Sequence, residues 1–239
     1  MDVGKDALAI FNLVWRYDLS APGFCLLDLG RDVDSRTVRS SMVTLKNELS
    51  KILSRSGKRF VYRSLGRFDQ QVTTKFHLNG VLAESVLMLG YEPSKVHSRV
   101  FLADYLRCAF DLGMRPDQFL NNLSPMFQFH RVEEALTGYA TELPQPEEGN
   151  SRILLINNSL LLFTDLRGNQ LLRRNPLGVM HKAEIIDPNK DERRIVNSVM
   201  LTTAHVSESD KIGEERESGF LTSEEITPSL YGATAEGIE

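Results

Sequence analysis

The hydrophobic period of this chain changes at Gly57, and that change limits the available folds more than any other feature. Before it, Asp34-Ser35 can cap a helix over 34–56, where Val38, Met42, Leu45, Leu49 and Leu53 recur at spacings of three and four. Gly57 stands where a C-terminal stop belongs. After it, 60–62, 72–77, 84–91 and 98–103 are short and rich in β-branched and aromatic residues. Gly66, Asn79-Gly80 and Pro93 separate them, which predicts short strands with tight connections. An earlier apolar stretch, 5–17, reads as a largely buried helix.

The strand pattern is interrupted once. Residues 104–112, closed by Gly113, and 116–123, with proline in the first turn, read as two short helices. A Pro- and Glu-rich loop follows at 144–150, and strands are expected again at 152–157, 160–163, 178–182 and 194–201. Helices first, then many short strands, predict an α+β, mainly β chain with helices against one face of an antiparallel sheet. A double-stranded β-helix, or jelly roll, with flanking N-terminal helices and a helical insertion fits this order. The expected division is one domain over 1–205 and an acidic tail or flap over 206–239.

Composition narrows the function classes. A chain of 239 residues can bury a full core. Its apolar runs are too short for a membrane span, and its first residues lack the pattern of a secretory leader. Cys25 and Cys108 are far apart and form neither a disulfide framework nor a CxxC metal site, so a cytoplasmic setting is expected. The net charge of -4 is uneven: 206–239 holds nine acidic residues against Lys211 and Arg216, leaving a slightly basic body. That body shows no basic stripe interleaved with aromatics, so no nucleic-acid partner is expected.

Two of the five histidines stand apart by their neighbours. His77 and Asn79, at i and i+2 on an expected strand end, can face one cavity. His181 lies on a late strand. The polar turn 187–192 then leads to Arg193-Arg194, which a hairpin would set beside the His181 strand. A guanidinium there suits a bidentate grip on a carboxylate.

An HxD-like triplet, a distant His and an Arg about a dozen residues later resemble the Fe(II)- and 2-oxoglutarate-dependent oxygenases, most closely the taurine dioxygenase-like branch. The segment 98–105 with 109–112 looks like that branch's strand-to-helix passage. Ile153 to Asn158 looks like the strand before the distal His, and Arg193 to Ser198 resembles the final Arg-bearing strand. The resemblance covers about 73–203. It implies Fe(II) held by His77, Asn79 and His181, with 2-oxoglutarate held by Arg194 and by Ser98 or Arg99. Two imidazoles and one carboxylate leave open positions for the 2-oxo acid and dioxygen. Ser198 and Lys75 would then face a small-molecule substrate. Arg63, Arg67 and Lys75, on or beside the strands entering the site, read either as a solvated sheet face or as contacts for an anionic substrate.

The chain departs from that pattern at one ligand. Asn79 stands where the family has Asp or Glu, and an amide oxygen brings no negative charge. Three readings stay open: a weaker working site, a position vacated for halide, or a fold that has lost the chemistry. Glu84 and Glu184 are nearby acids, but neither has the strand parity of a replacement ligand. The expected function is therefore an oxygenase, with hydroxylation as the default outcome; the alternative is a non-catalytic jelly-roll binding module.

Overall fold

The computed structural model describes residues 6–80, 82–122, 130–160, 175–208 and 211–228. The helix read over 34–56 is α2 (Ser35–Leu53). Asp34 caps it by accepting a hydrogen bond from the Thr37 N–H at 2.6 Å, and Gly57 closes the following turn at φ +75°. Its buried stripe, Val38, Met42, Leu45, Leu49 and Leu53, packs onto a sheet together with α1 (Ala7–Val14).

That sheet has six strands: β1 (Phe24–Arg31), β6 (Asn150–Asn157), β3 (Ser85–Tyr91), β8 (Ile195–His205), β2 (Lys58–Asp69) and β9 (Thr227–Pro228), in that spatial order. Every pairing is antiparallel except β2 with β9. A smaller antiparallel sheet has the order β5 (Ala140–Glu142), β4 (Ser98–Ala103), β7 (Met180–Ile185). Alternate residues point to opposite faces of a strand, so the central strands of the large sheet feed two cores. Val86, Met88, Ile153, Leu155, Val199 and Leu201 meet the helices. Leu87, Leu89, Leu154, Ile156 and Val196 face the small sheet and its Leu102. This explains why β3 is one continuous apolar run: it is covered on both sides.

Several elements differ from the sequence reading. The strand expected at 60–62 runs on through Gly66 to Asp69, because β8 pairs with it throughout. The segment expected as a strand at 72–77 makes only a single bridge, at His77. Its hydroxyls partly replace a ladder: Thr74 Oγ1 accepts from the Ala183 N–H at 2.9 Å and Thr73 Oγ1 from the Ile185 N–H at 3.0 Å. β7 and β8 do not form a hairpin, since they lie in different sheets. β1, β5 and the helix α5 (His130–Thr137) went unread, whereas β4 falls on the expected residues 98–103. The helical insertion α3 (Tyr105–Asp111), α4 (Pro116–Asn122) and α5 surrounds a separate cluster built on Tyr105, Leu106, Phe119 and Leu136.

Residues expected as tail contain structure. The helix α6 (Lys211–Thr222) lays Phe220 into the large-sheet core, and β9 extends that sheet. Buried Arg39 of α2 donates to the Phe220 and Ser223 carbonyls and pairs with Glu224, which ties α2 to this segment. The strand read at 160–163 lies largely outside the described residues. Among the described residues no helix is long and apolar enough to cross a membrane.

Candidate functional site

His77 and His181 come together across the small sheet's outer edge. Their backbones exchange two hydrogen bonds of 3.1 Å, and their ring centroids stand 4.2 Å apart at 47°. Residues opposite one another in a non-regular antiparallel bridge project to the same face, so two imidazoles share one small volume. His181 is 7% exposed. Burial, and then the neighbouring His77, hold its pKa well below the ordinary histidine range. Burial also lowers His77, its contacts with Lys75 and Asn79 opposing that shift only in part. Two neutral imidazoles result, the form in which histidine binds a metal.

The ring nitrogens are unequally committed. His77 Nδ1 lies 2.7 Å from the Lys75 carbonyl, which selects the Nδ1–H tautomer and puts the lone pair on Nε2. His181 Nδ1 is buried with no hydrogen-bond partner among the described residues. Asn79 Oδ1 is in the same state, although its amide sits close enough to His77 to favour that ring's protonated form. Asn158 fixes the Asn79 backbone: its Oδ1 accepts from the Asn79 N–H at 2.8 Å, and its Nδ2 donates to the Asn79 carbonyl at 2.7 Å. Gly80 follows at φ +75°, ending the segment in a turn and not in the regular strand the spacing suggested.

Arg194, just before β8, reaches the small sheet four residues along its ladder from the histidine pair. β4 sets Leu102 opposite His181 and Ser98 opposite Ile185, a step of about 13 Å at ordinary strand rise. Arg194 is 4% exposed; its Nε donates to Ser98 Oγ at 2.9 Å and its Nη1 to Gln70 Oε1 at 2.7 Å. The guanidinium carbon lies 5.0 Å from the Tyr91 ring centre. Burial lowers its pKa and the Tyr91 hydroxyl opposes that shift. Among the described residues it forms no direct ion pair; Asp69 accepts from its main-chain N–H at 2.9 Å, and the same carboxylate favours the guanidinium charge through space. The other two deeply buried arginines differ: Arg16 pairs with Asp104 at 2.8 Å, and Arg39 with Glu224 at 3.2 Å.

The remaining candidates divide by strand parity. Ser98 joins Arg194, and Ser198 shares the inward parity of Val196 and Met200 in the inter-sheet core. Arg99 points the opposite way from Ser98, bound outside to Glu142 at 2.5 Å and near Glu184 at 3.6 Å, so the structure separates it from the Arg194 group. Lys75 is exposed and reaches the pair only through its carbonyl. Glu84 pairs with Lys58 and accepts from Thr203, and Glu184 with Arg99, so neither acid faces the histidines. No group of three or more His, Cys, Asp or Glu side chains is assembled among the described residues. Gln70 and Tyr91 escaped the sequence reading. Tyr91 shares the parity of Leu87 and Leu89 and was findable on that ground; Gln70 carries no such signal.

The two cysteines are free. Burial, with Asp111 and Asp104 nearby, pushes the Cys108 thiol up to about 11, which makes it a poor nucleophile.

No protein-family model matches the chain, and no curated protein matches it either. A solved structure of Triatoma virus overlaps 66% of this chain and 69% of its own at 13% identity, with a TM-score of 0.28, too low to bear on fold or function.

Proposed function

We propose that this chain is a jelly-roll protein of the Fe(II)- and 2-oxoglutarate-dependent oxygenase type, with a weakened metal position at Asn79. The jelly-roll reading is supported by the strand exchange between sheets. β2, β3, β6 and β8 lie in the large sheet, while the His77 bridge, β4, β5 and β7 fall in the small one.

The observation that carries the functional reading is a pair of neutral histidines, one buried and one half-buried, on the small sheet, with a buried arginine that reaches the same sheet through Ser98 and forms no direct ion pair among the described residues. The donor set fits a metal of modest affinity. His77 Nε2, His181 and the buried Asn79 Oδ1 would hold it, and the Lys75 carbonyl would orient His77. Arg194, backed by Ser98, Gln70 and Tyr91, would take the far carboxylate of 2-oxoglutarate. The two parts depend on each other, since a dicarboxylate needs both a cation and a second anchor. Fe(II) with 2-oxoglutarate supplies oxidation of a small molecule by dioxygen. The chain's own contribution is to hold, orient and shield these groups.

Anaerobic titration with Fe(II) and 2-oxoglutarate tests this through the visible metal-to-ligand absorption. A saturable band that disappears in His77→Ala and His181→Ala supports the reading. Absence of both band and saturable Fe(II) binding overturns it.

A second reading is favoured by Asn79 itself and by the missing carboxylate. A module that kept Arg194 but not the metal would bind 2-oxoglutarate or a similar dicarboxylate without Fe(II). Calorimetry without metal separates the two, because only this second reading predicts full affinity there.

A further inference from the structure

Arg63 and Arg67, which the sequence suggested as anion contacts for the histidine site, lie elsewhere. Arg67 bonds Glu92 and Glu224, on the helix-covered side of the large sheet, away from the Arg194 side. The cause is a bulge in β2. Tyr62 pairs with Leu201 and Ser64 with Met200, so Arg63 has no partner on β8 and the strand's parity flips after it. Tyr62 and Leu65 therefore both face the helices, while Phe68 turns into the inter-sheet core.

Next to this bulge, between β2 and α6, is a cavity of about 430 Å³, lined among others by Arg39, Arg63, Arg67 and Arg216. The volume is within the range of small-molecule sites. Arg39 and Arg67 are held by the carboxylates of Glu224 and Glu92. Arg63 and Arg216 have no hydrogen-bond or ion-pair partner among the described residues and stay exposed at the rim. The lining includes one acid, Glu225, and the hydroxyls of Ser64, Ser223 and Thr227. A Cβ added at Gly66 or Gly219 would meet nothing within 4 Å, so both walls leave open space.

We propose that this cavity binds a phosphate-bearing small molecule, held by Arg63 from the sheet and Arg216 from α6. Two uncommitted guanidinium groups and several hydroxyls offer more donors than one carboxylate can use, whereas a phosphate dianion can use them. A ligand bound there would also clamp α6 to the sheet. This site is independent of the proposed oxygenase chemistry.

Calorimetric titration of the full chain with inorganic pyrophosphate, and with orthophosphate in parallel, is the direct test. One saturable site is expected, weakened about tenfold in Arg63→Gln or Arg216→Gln and lost in the double variant. Both side chains are exposed, so these variants keep the fold, which thermal unfolding without ligand verifies. Arg194→Met should leave the binding unchanged. The proposal is overturned by no saturable binding, by binding indifferent to Arg63 and Arg216, by loss in Arg194→Met, or by citrate binding as tightly as pyrophosphate.

Discussion

His77 and His181 face each other across a reciprocal backbone bridge with their imidazoles 4.2 Å apart. The bridge sets the spacing, and burial keeps the rings neutral. In the proposed site such a pair would provide two neutral metal ligands, so the third donor would decide the affinity.

That donor is the subject of the first prediction. Asn79 Oδ1 is buried and has no hydrogen-bond partner of good geometry among the described residues, while its amide lies against His77, so Asn79→Asp would place a carboxylate at the proposed metal position. Fe(II) or Co(II) affinity should rise by about tenfold or more, since the hard, anionic ligand suits these ions better. Competition titration against a chelating dye measures it. An unchanged affinity means that position 79 does not ligate.

The buried arginines should respond differently to removal. Arg16→Met strands Asp104 and the Leu177 carbonyl, which it now bonds at 2.8 and 2.9 Å, and should cost about 3–5 kcal/mol. Arg194→Met strands the neutral acceptors Ser98 Oγ and Gln70 Oε1 and the Tyr91 hydroxyl, and no carboxylate bonded directly to its guanidinium. Its cost should stay near 1–3 kcal/mol, while 2-oxoglutarate binding is lost. Urea unfolding and ligand titration report the two effects.

Glu92 should make stability depend on acid pH. Burial alone would raise its pKa, but hydrogen bonds from Ser35, Arg67 and Asn197 outweigh that and leave it lowered. A carboxylate lowered in the fold stabilises fully above its unfolded value, near 4.5, and that contribution disappears as pH falls through the folded value. The fall in urea midpoint below pH 4.5 should be smaller in Glu92→Gln than in the parent chain. Equal falls would show that Glu92 does not contribute.

Two glycines test the packing directly. A Cβ on Gly178 would lie 2.2 Å from the Ser159 carbonyl oxygen, against backbone that cannot yield, so Gly178→Ala should leave little folded protein. On Gly90 it would meet Met42 Sδ at 2.6 Å and Val38 Cγ1 at 2.8 Å. Both are side chains, one of them flexible, so Gly90→Ala should fold with a loss of about 1–3 kcal/mol. Soluble yield and denaturant midpoints distinguish the two.

Local pattern determined much of this protein. The apolar stripe from Val38 to Leu53, the Asp34 cap and the stop at Gly57 specify α2, because periodicity and capping act within a few residues. The run 98–103 specifies β4 and, through parity, the opposite faces of Ser98 and Arg99. The i, i+2 spacing of His77 and Asn79 did not announce the bridge that joins His77 to His181, which is a long-range pairing.

Tertiary structure decided what parity and order cannot carry. Which sheet β7 and β8 join depends on long-range pairing, and it placed Arg194 against Ser98 and not beside His181. Whether a buried cation has a counter-ion depends on residues distant in sequence, as with Arg16 and Asp104. A single bulge at Arg63, which no local signal announces, moved an arginine pair to the opposite face of the sheet. One inserted residue reverses every side chain after it, and only its β8 partner reveals the reversal.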